Sequence, residues 1–95
     1  MSAYILVQIN ITNPESYKEY LKQVTPTVVK YGGEYIVRGG KYKSMEGKWD
    51  YERTVIIKFP TYEIANTWYN SDEYTPIRKI RKDNSEGNLI IIEGL

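Results

Sequence analysis

The residue best placed for recognition is Arg38. It closes the run Glu34-Tyr35-Ile36-Val37-Arg38, which lies between the glycine pairs Gly32-Gly33 and Gly39-Gly40. A guanidinium among aromatic and β-branched neighbours must pair with a carboxylate, stack on a ring or meet an anionic ligand. Glu46 and Glu93 are the carboxylates offered for a structural ion pair. The ligand reading calls for a small acidic or phenolic compound gripped in bidentate fashion. Trp68 and Tyr74 supply flat apolar walls for it, although both fall on helical faces where core packing competes for them. Trp68, Tyr74 and Arg78 stand at i, i+6 and i+10 across a helix break, where side chains can line the gap between helix and sheet. Asn10, ending the first strand, and Arg78 complete the polar rim, with a solvated surface charge as the competing reading for Arg78.

Other chemistry is narrowed by what the chain lacks. It has no histidine and no cysteine, so the commonest general base, the usual haem ligand and every thiolate site are missing. Tyrosine, carboxylate and arginine would have to carry any acid–base work. Neither glycine pair has a nucleotide-binding spacing or opens a helix, so helix cap and strand bulge are their better readings. No carboxylate spacing resembles a calcium loop. No metal, haem or flavin is therefore expected to copurify. The net charge of +1, with both signs interspersed, argues against nucleic acid, whose binders carry a basic stripe. No signal peptide or membrane span is read, which makes the cytoplasm the default location. Ten tyrosines against one phenylalanine give many rings with a polar tip, as interfaces and polar pockets have, or as filler at the edge of a small core.

The elements that must position these residues follow from periodicity. Tyr4 to Ile11 alternates, with Ile5, Val7, Ile9 and Ile11 on a core face and Tyr4, Leu6, Gln8 and Asn10 on the other. Asn13-Pro14-Glu15 starts a helix whose apolar stripe is Tyr17, Tyr20, Leu21, Val24, Val28 and Tyr31. Pro26 predicts a kink or break in it, because an interior proline costs about 3 kcal/mol. Glu34–Arg38 is a strand, Glu46-Gly47-Lys48 a hairpin turn, and Arg53–Phe59 the next strand, with Val55, Ile57 and Phe59 inward. Thr61 caps a second helix carrying Ile64, Ala65 and Trp68. A break near Asn70 leads into a short helix to about Lys82 that buries Tyr74, Ile77 and Ile80. Asp83 to Gly87 reads as a loop and Leu89–Ile92 as the last strand. The two halves align at an offset of 61 − 13 = 48 residues between the capping residues Asn13 and Thr61. The 95 residues suit one domain, an α+β ferredoxin-like βαββαβ plait with a four-stranded antiparallel sheet. Its outer sheet face, with Tyr4, Leu6 and Ile56, is too apolar to leave wet, and a second copy packed against it would cover it.

The run Tyr31-Gly32-Gly33-x-Tyr35-x-x-Arg38-Gly39-Gly40, with Glu46-Gly47-x-Trp49 and Arg53, resembles the 1330 family of domains of unknown function. Phe59-Pro60, Ala65-x-x-Trp68-Tyr69-x-Ser71-x-x-Tyr74 and Arg78 continue the likeness over nearly the whole chain. Relatives often carry histidine before the first glycine pair, where this chain has Tyr31. The resemblance implies a dimeric α+β barrel, two ferredoxin-like subunits packed sheet to sheet. It also implies a function class, since several such barrels are cofactor-free oxygenases or isomerases acting on small, often aromatic, compounds. A non-catalytic small-molecule-binding or structural homodimer module is the alternative. A perturbed carboxylate in the pocket would favour the enzyme, and a filled, dry gap the module.

Overall fold

A computed structural model describes residues 1–95. The elements run β1 (Ala3–Ile11), α1 (Pro14–Lys30), β2 (Glu34–Arg38), β3 (Arg53–Phe59), α2 (Tyr62–Tyr69), α3 (Thr75–Asp83) and β4 (Ser85–Glu93). The four strands form one antiparallel sheet in the order β2-β3-β1-β4. That order is the ferredoxin-like plait, with α1, α2 and α3 on one face.

The core is the inward half of each strand closed by the helices. Ile5, Val7 and Ile9 of β1 and Val55, Ile57 and Phe59 of β3 are buried against Tyr17, Tyr20, Val24 and Val28 of α1, with Ala65 and Trp68 of α2 and Ile77 of α3. The expected helix starts form as capped turns: Asn13 Oδ1 accepts from Ser16 N–H at 3.2 Å, and Thr61 Oγ1 from Ile64 N–H at 3.1 Å. No helix is long and apolar enough to cross a membrane.

Three expectations need correction. Helix α1 runs unbroken through Pro26. The proline ring lies on the exposed side, so water can satisfy the Lys22 carbonyl that loses its helical partner. Strand β4 begins at Ser85 rather than Leu89 and absorbs most of the expected loop. Gly87, at φ 152°, lets its backbone lie against Gln8 and Ile9, where a Cβ would collide with the Gln8 carbonyl. The segment 39–52 bends at Glu46-Gly47 but has no strand ladder flanking that bend, so it is a long irregular connection and not a tight hairpin.

Candidate functional site

Three guanidiniums are turned toward the space between sheet and helices. Arg53 opens β3 two residues before Val55, so strand alternation puts it on the core face. Arg81 follows Ile77 by four residues and Tyr74 by seven, on the buried face of α3; it is 7% exposed. Arg38 arrives by another route. Tyr35 pairs with Ile57, but Val37 pairs with Ile56 and Arg38 with Val55, so Ile36 is the extra residue of a β-bulge. The bulge flips the alternation and brings both Tyr35 and Arg38 onto the helix side.

These arginines line one cavity with Tyr17, Tyr20 and Val24 of α1, Tyr35 of β2, Val7 and Leu89 of the sheet, and Trp68 and Tyr74. The exposed lining residues Arg38 and Leu21 mark its mouth, and buried Trp68, Tyr74 and Arg81 its floor. It is nearly filled by its own side chains: only about 20 Å³ is wide enough to seat the centre of a water molecule. A ligand larger than water must therefore displace the side chains at the mouth. No carboxylate lines the cavity, and none of its arginines forms an ion pair; the salt bridges are all made by lysines. Arg53 Nε is buried without a hydrogen-bond partner. Arg38 donates to Thr25 Oγ1 at 3.2 Å and lies 4.2 Å from the Tyr35 ring centroid, while Arg81 Nε makes a long 3.4 Å bond to Tyr74 Oη. Gly39, at φ 69°, packs so closely on the Arg53 guanidinium that any Cβ there would displace it.

The helix break sets the floor. Ser71 Oγ donates to the Trp68 carbonyl at 2.8 Å and accepts from Tyr74 N–H at 3.2 Å. This turn stacks the Tyr74 ring on Trp68, 4.0 Å between centroids and 27° apart. Trp68 Nε1 donates to Thr27 Oγ1 at 3.0 Å, and the Tyr20 and Tyr74 hydroxyls share a hydrogen bond of 2.8 Å.

Of the residues singled out from sequence, Arg38, Trp68 and Tyr74 meet at this cavity. Asn10 and Arg78 do not. Asn10 alternates onto the opposite sheet face and accepts from Glu52 N–H at 2.7 Å, while Arg78 donates to the Tyr69 carbonyl at 2.9 Å and lies 4.6 Å from that ring's centroid on the outside of α3. The polar groups that join Arg38 at the cavity are Arg53 and, at its floor, Arg81 instead. Tyr31 also lies off the cavity, its hydroxyl donating to Glu73 at 2.6 Å beside Lys30.

Three of the phenols, Tyr17, Tyr20 and Tyr35, hold their protons above the ordinary tyrosine range. Burial raises the Tyr20 hydroxyl well above its ordinary value of 10.0, with neighbouring Tyr74 adding to the effect. Burial also raises Tyr17 against the pull of the Arg53 and Arg81 charges, and Tyr35 against a hydrogen bond from Thr25 and the charge of Arg38. An acid whose folded pKa lies above its unfolded value contributes stability that is complete below the unfolded pKa and lost as pH rises toward the folded one. The Tm should hold steady from about pH 7 to 9 and fall above about pH 10, as phenolate absorbance grows with unfolding. A Tm unchanged to about pH 11 would contradict these shifts.

Comparison with known proteins agrees with this architecture. The family model described as Domain of unknown function (DUF1330) matches residues 2–95. No functionally curated protein matches the sequence. Among solved structures, a protein of unknown function from Rhodopseudomonas palustris superposes with a TM-score of 0.77 at 18% identity, over 99% of this chain and 82% of that one. SnoaB, a cofactor-independent oxygenase from Streptomyces nogalater, does so with a TM-score of 0.65 at 5% identity, over 99% and 93%. An ethyl tert-butyl ether family protein from Bacillus halodurans gives 0.58 at 15%, over 100% and 99%. At these identities the likeness is one of fold.

Proposed function

The chain belongs to the DUF1330 family, and from its cavity we propose that it binds a small planar organic anion, aromatic or phenolic, between the helices and the sheet. The observation that carries this reading is the set of three guanidiniums facing one apolar, tyrosine-lined cavity with no carboxylate to neutralise them. An uncompensated charge in a partly dry space is unfavourable unless an anion completes it, and the aromatic walls favour a flat body. The neutral phenols add hydrogen-bond donors.

The test is a thermal-shift screen of small aromatic acids on the wild type and on Arg38→Met, which keeps the stem and removes the charge. We expect at least one acid to raise the wild-type Tm and to lose most of that effect in the variant, while the unliganded fold persists. If no small acid stabilises the wild type, the reading fails; if Arg38→Met leaves the shift intact, Arg38 is structural.

The SnoaB-like fold favours a second reading, a cofactor-free oxygenase. The cavity lacks a carboxylate or imidazole base, so such a substrate would have to be bound already ionised, its charge held by the arginines. Oxygen uptake with any stabilising phenolic acid would distinguish enzyme from binding module.

The same reading includes a homodimer formed through the open sheet face. Val37, Ile56, Leu6 and Ile90 lie in one register row across all four strands on that face, and the next row brings Tyr4 beside Ile92. Ile90 is 49% and Ile92 51% exposed, a contiguous aliphatic band that a second copy would cover. Leu6→Glu sets a charge in the middle of the row and should dissociate or unfold the protein. Light scattering that reports a wild-type monomer at micromolar concentration would end the dimer proposal.

A further inference from the structure

The floor of the cavity holds more protons than oxygens to accept them. Arg81 Nε donates to Tyr74 Oη at 3.4 Å, and the Tyr74 and Tyr20 hydroxyls share one hydrogen bond of 2.8 Å. Whichever phenol donates within that pair, the proton of the other points away from it. Tyr74 is fully buried, while Arg81 is 7% and Tyr20 8% exposed. That proton must therefore be met from the cavity that all three side chains line. No carboxylate, amide or imidazole lines the cavity to accept it. The charge of Arg81 is unmatched as well, since no salt bridge includes it. A buried donor and a buried charge in one place both call for an acceptor carrying negative charge.

We propose that the cavity binds a single halide ion, chloride under ordinary conditions, against the floor formed by Arg81, Tyr20 and Tyr74. Such a site shares the unmatched arginine charge with the reading above and needs neither its organic ligand nor an opened mouth. Size selects the ion. The space open to the centre of a water-sized sphere is about 20 Å³, against the about 10–15 Å³ that one water needs. That leaves slack for a slightly larger sphere and none for a tetrahedral oxyanion. Chemistry separates the ion from water. A water accepts the free phenol proton but must place two protons of its own, in a lining whose polar groups are guanidiniums and phenols. A halide only accepts. Its charge offsets that of Arg81, which is buried and little screened by solvent. Arg38 and Arg53, on the same cavity, add to the field that draws an anion in.

Melting in sodium gluconate, chloride and bromide, each at about 0.15 M, tests this, because gluconate is too bulky for the seat. A halide site half-filled at about a quarter of that concentration should raise the wild-type Tm by about 4 °C or more over gluconate. Arg81→Met removes the buried charge and should bring the difference below about 1 °C. General salt effects act on the surfaces of both proteins alike. Crystals of the wild type grown in bromide locate the ion, and they decide the matter should Arg81→Met fail to fold. An anomalous peak is expected in contact with the Arg81 guanidinium or with the Tyr20 or Tyr74 hydroxyl. Equal wild-type Tm in the three salts overturns the halide site, and so does a halide effect that persists in Arg81→Met. Crystals with no bromide peak in the cavity do the same. An aromatic acid that stabilises the protein in gluconate would then leave the proposed function standing. A halide effect without any stabilising acid would keep the halide site and end the organic-ligand reading.

Discussion

Replacing Trp68 with Ala should remove about 3–5 kcal/mol of stability, the range for deleting a large buried aromatic side chain. The side chain is 1% exposed, stacks on Tyr74 at 4.0 Å, meets Phe59 at 5.3 Å between centroids and donates to Thr27 Oγ1. A chain of this size has about 5–15 kcal/mol in total, so the midpoint should drop by about 12 °C or more. Trp68→Phe keeps most of the ring contact and loses the indole donor, so it should cost about 1 kcal/mol beyond the change in volume. Tyr62→Ala, at an exposed position of the same helix, should stay within about 0.5 kcal/mol. Urea unfolding of the three variants checks the order, and a Trp68→Ala protein as stable as Tyr62→Ala would show that Trp68 is not the keystone of this layer.

That expectation changes the role the sequence assigns to Trp68. Periodicity shows a ring on the inner helical face, and it cannot show that Tyr74, across the Ser71 turn, has already taken the ring as its stacking partner. The break near Asn70 is legible, but the contact depends on how one serine hydroxyl shapes the turn there, and that geometry is not.

Other parts of the site were open to reading. Arg53 keeps strict two-residue spacing with Val55, Ile57 and Phe59, and Arg81 shares the helical face of Tyr74 and Ile77; a charge in phase with core positions is a signal in itself. The sequence reading uses Arg53 only to open its strand and passes over Arg81. Arg38 is the opposite case. Its position drew attention because of its apolar neighbours, yet plain alternation from Tyr35 would turn it to the outer face. The bulge at Ile36 reverses that, and Ile36 carries none of the glycine or proline marks by which irregular strands are recognised. The plait was legible because caps, alternation and stripes all agree on it, whereas the long β4 depended on the close approach of Gly87 to β1.

Arg53→Met should make the unliganded protein more stable and leave it unable to hold its anion. The wild-type side chain has a buried Nε without a partner, a defect worth about 1–3 kcal/mol. It also adds a third positive charge to a cavity that already holds Arg38 and Arg81. Methionine fills the space of the stem, brings no donor to satisfy and removes one of three like charges from the cavity. A net gain of about 1 kcal/mol corresponds to a rise of about 4–8 °C in Tm. Binding should move the other way, because Arg53 is one of the three cations that line the cavity. Removing one partner of a desolvated charge pair costs about 2–5 kcal/mol, so affinity for a small aromatic acid should fall by about 30-fold or more. The two signs together separate a binding role from a structural one, since a structural arginine would cost stability when removed. A variant that melts below the wild type, or one that binds an aromatic acid from the screen as tightly, would show that Arg53 holds the fold together and does not hold a ligand.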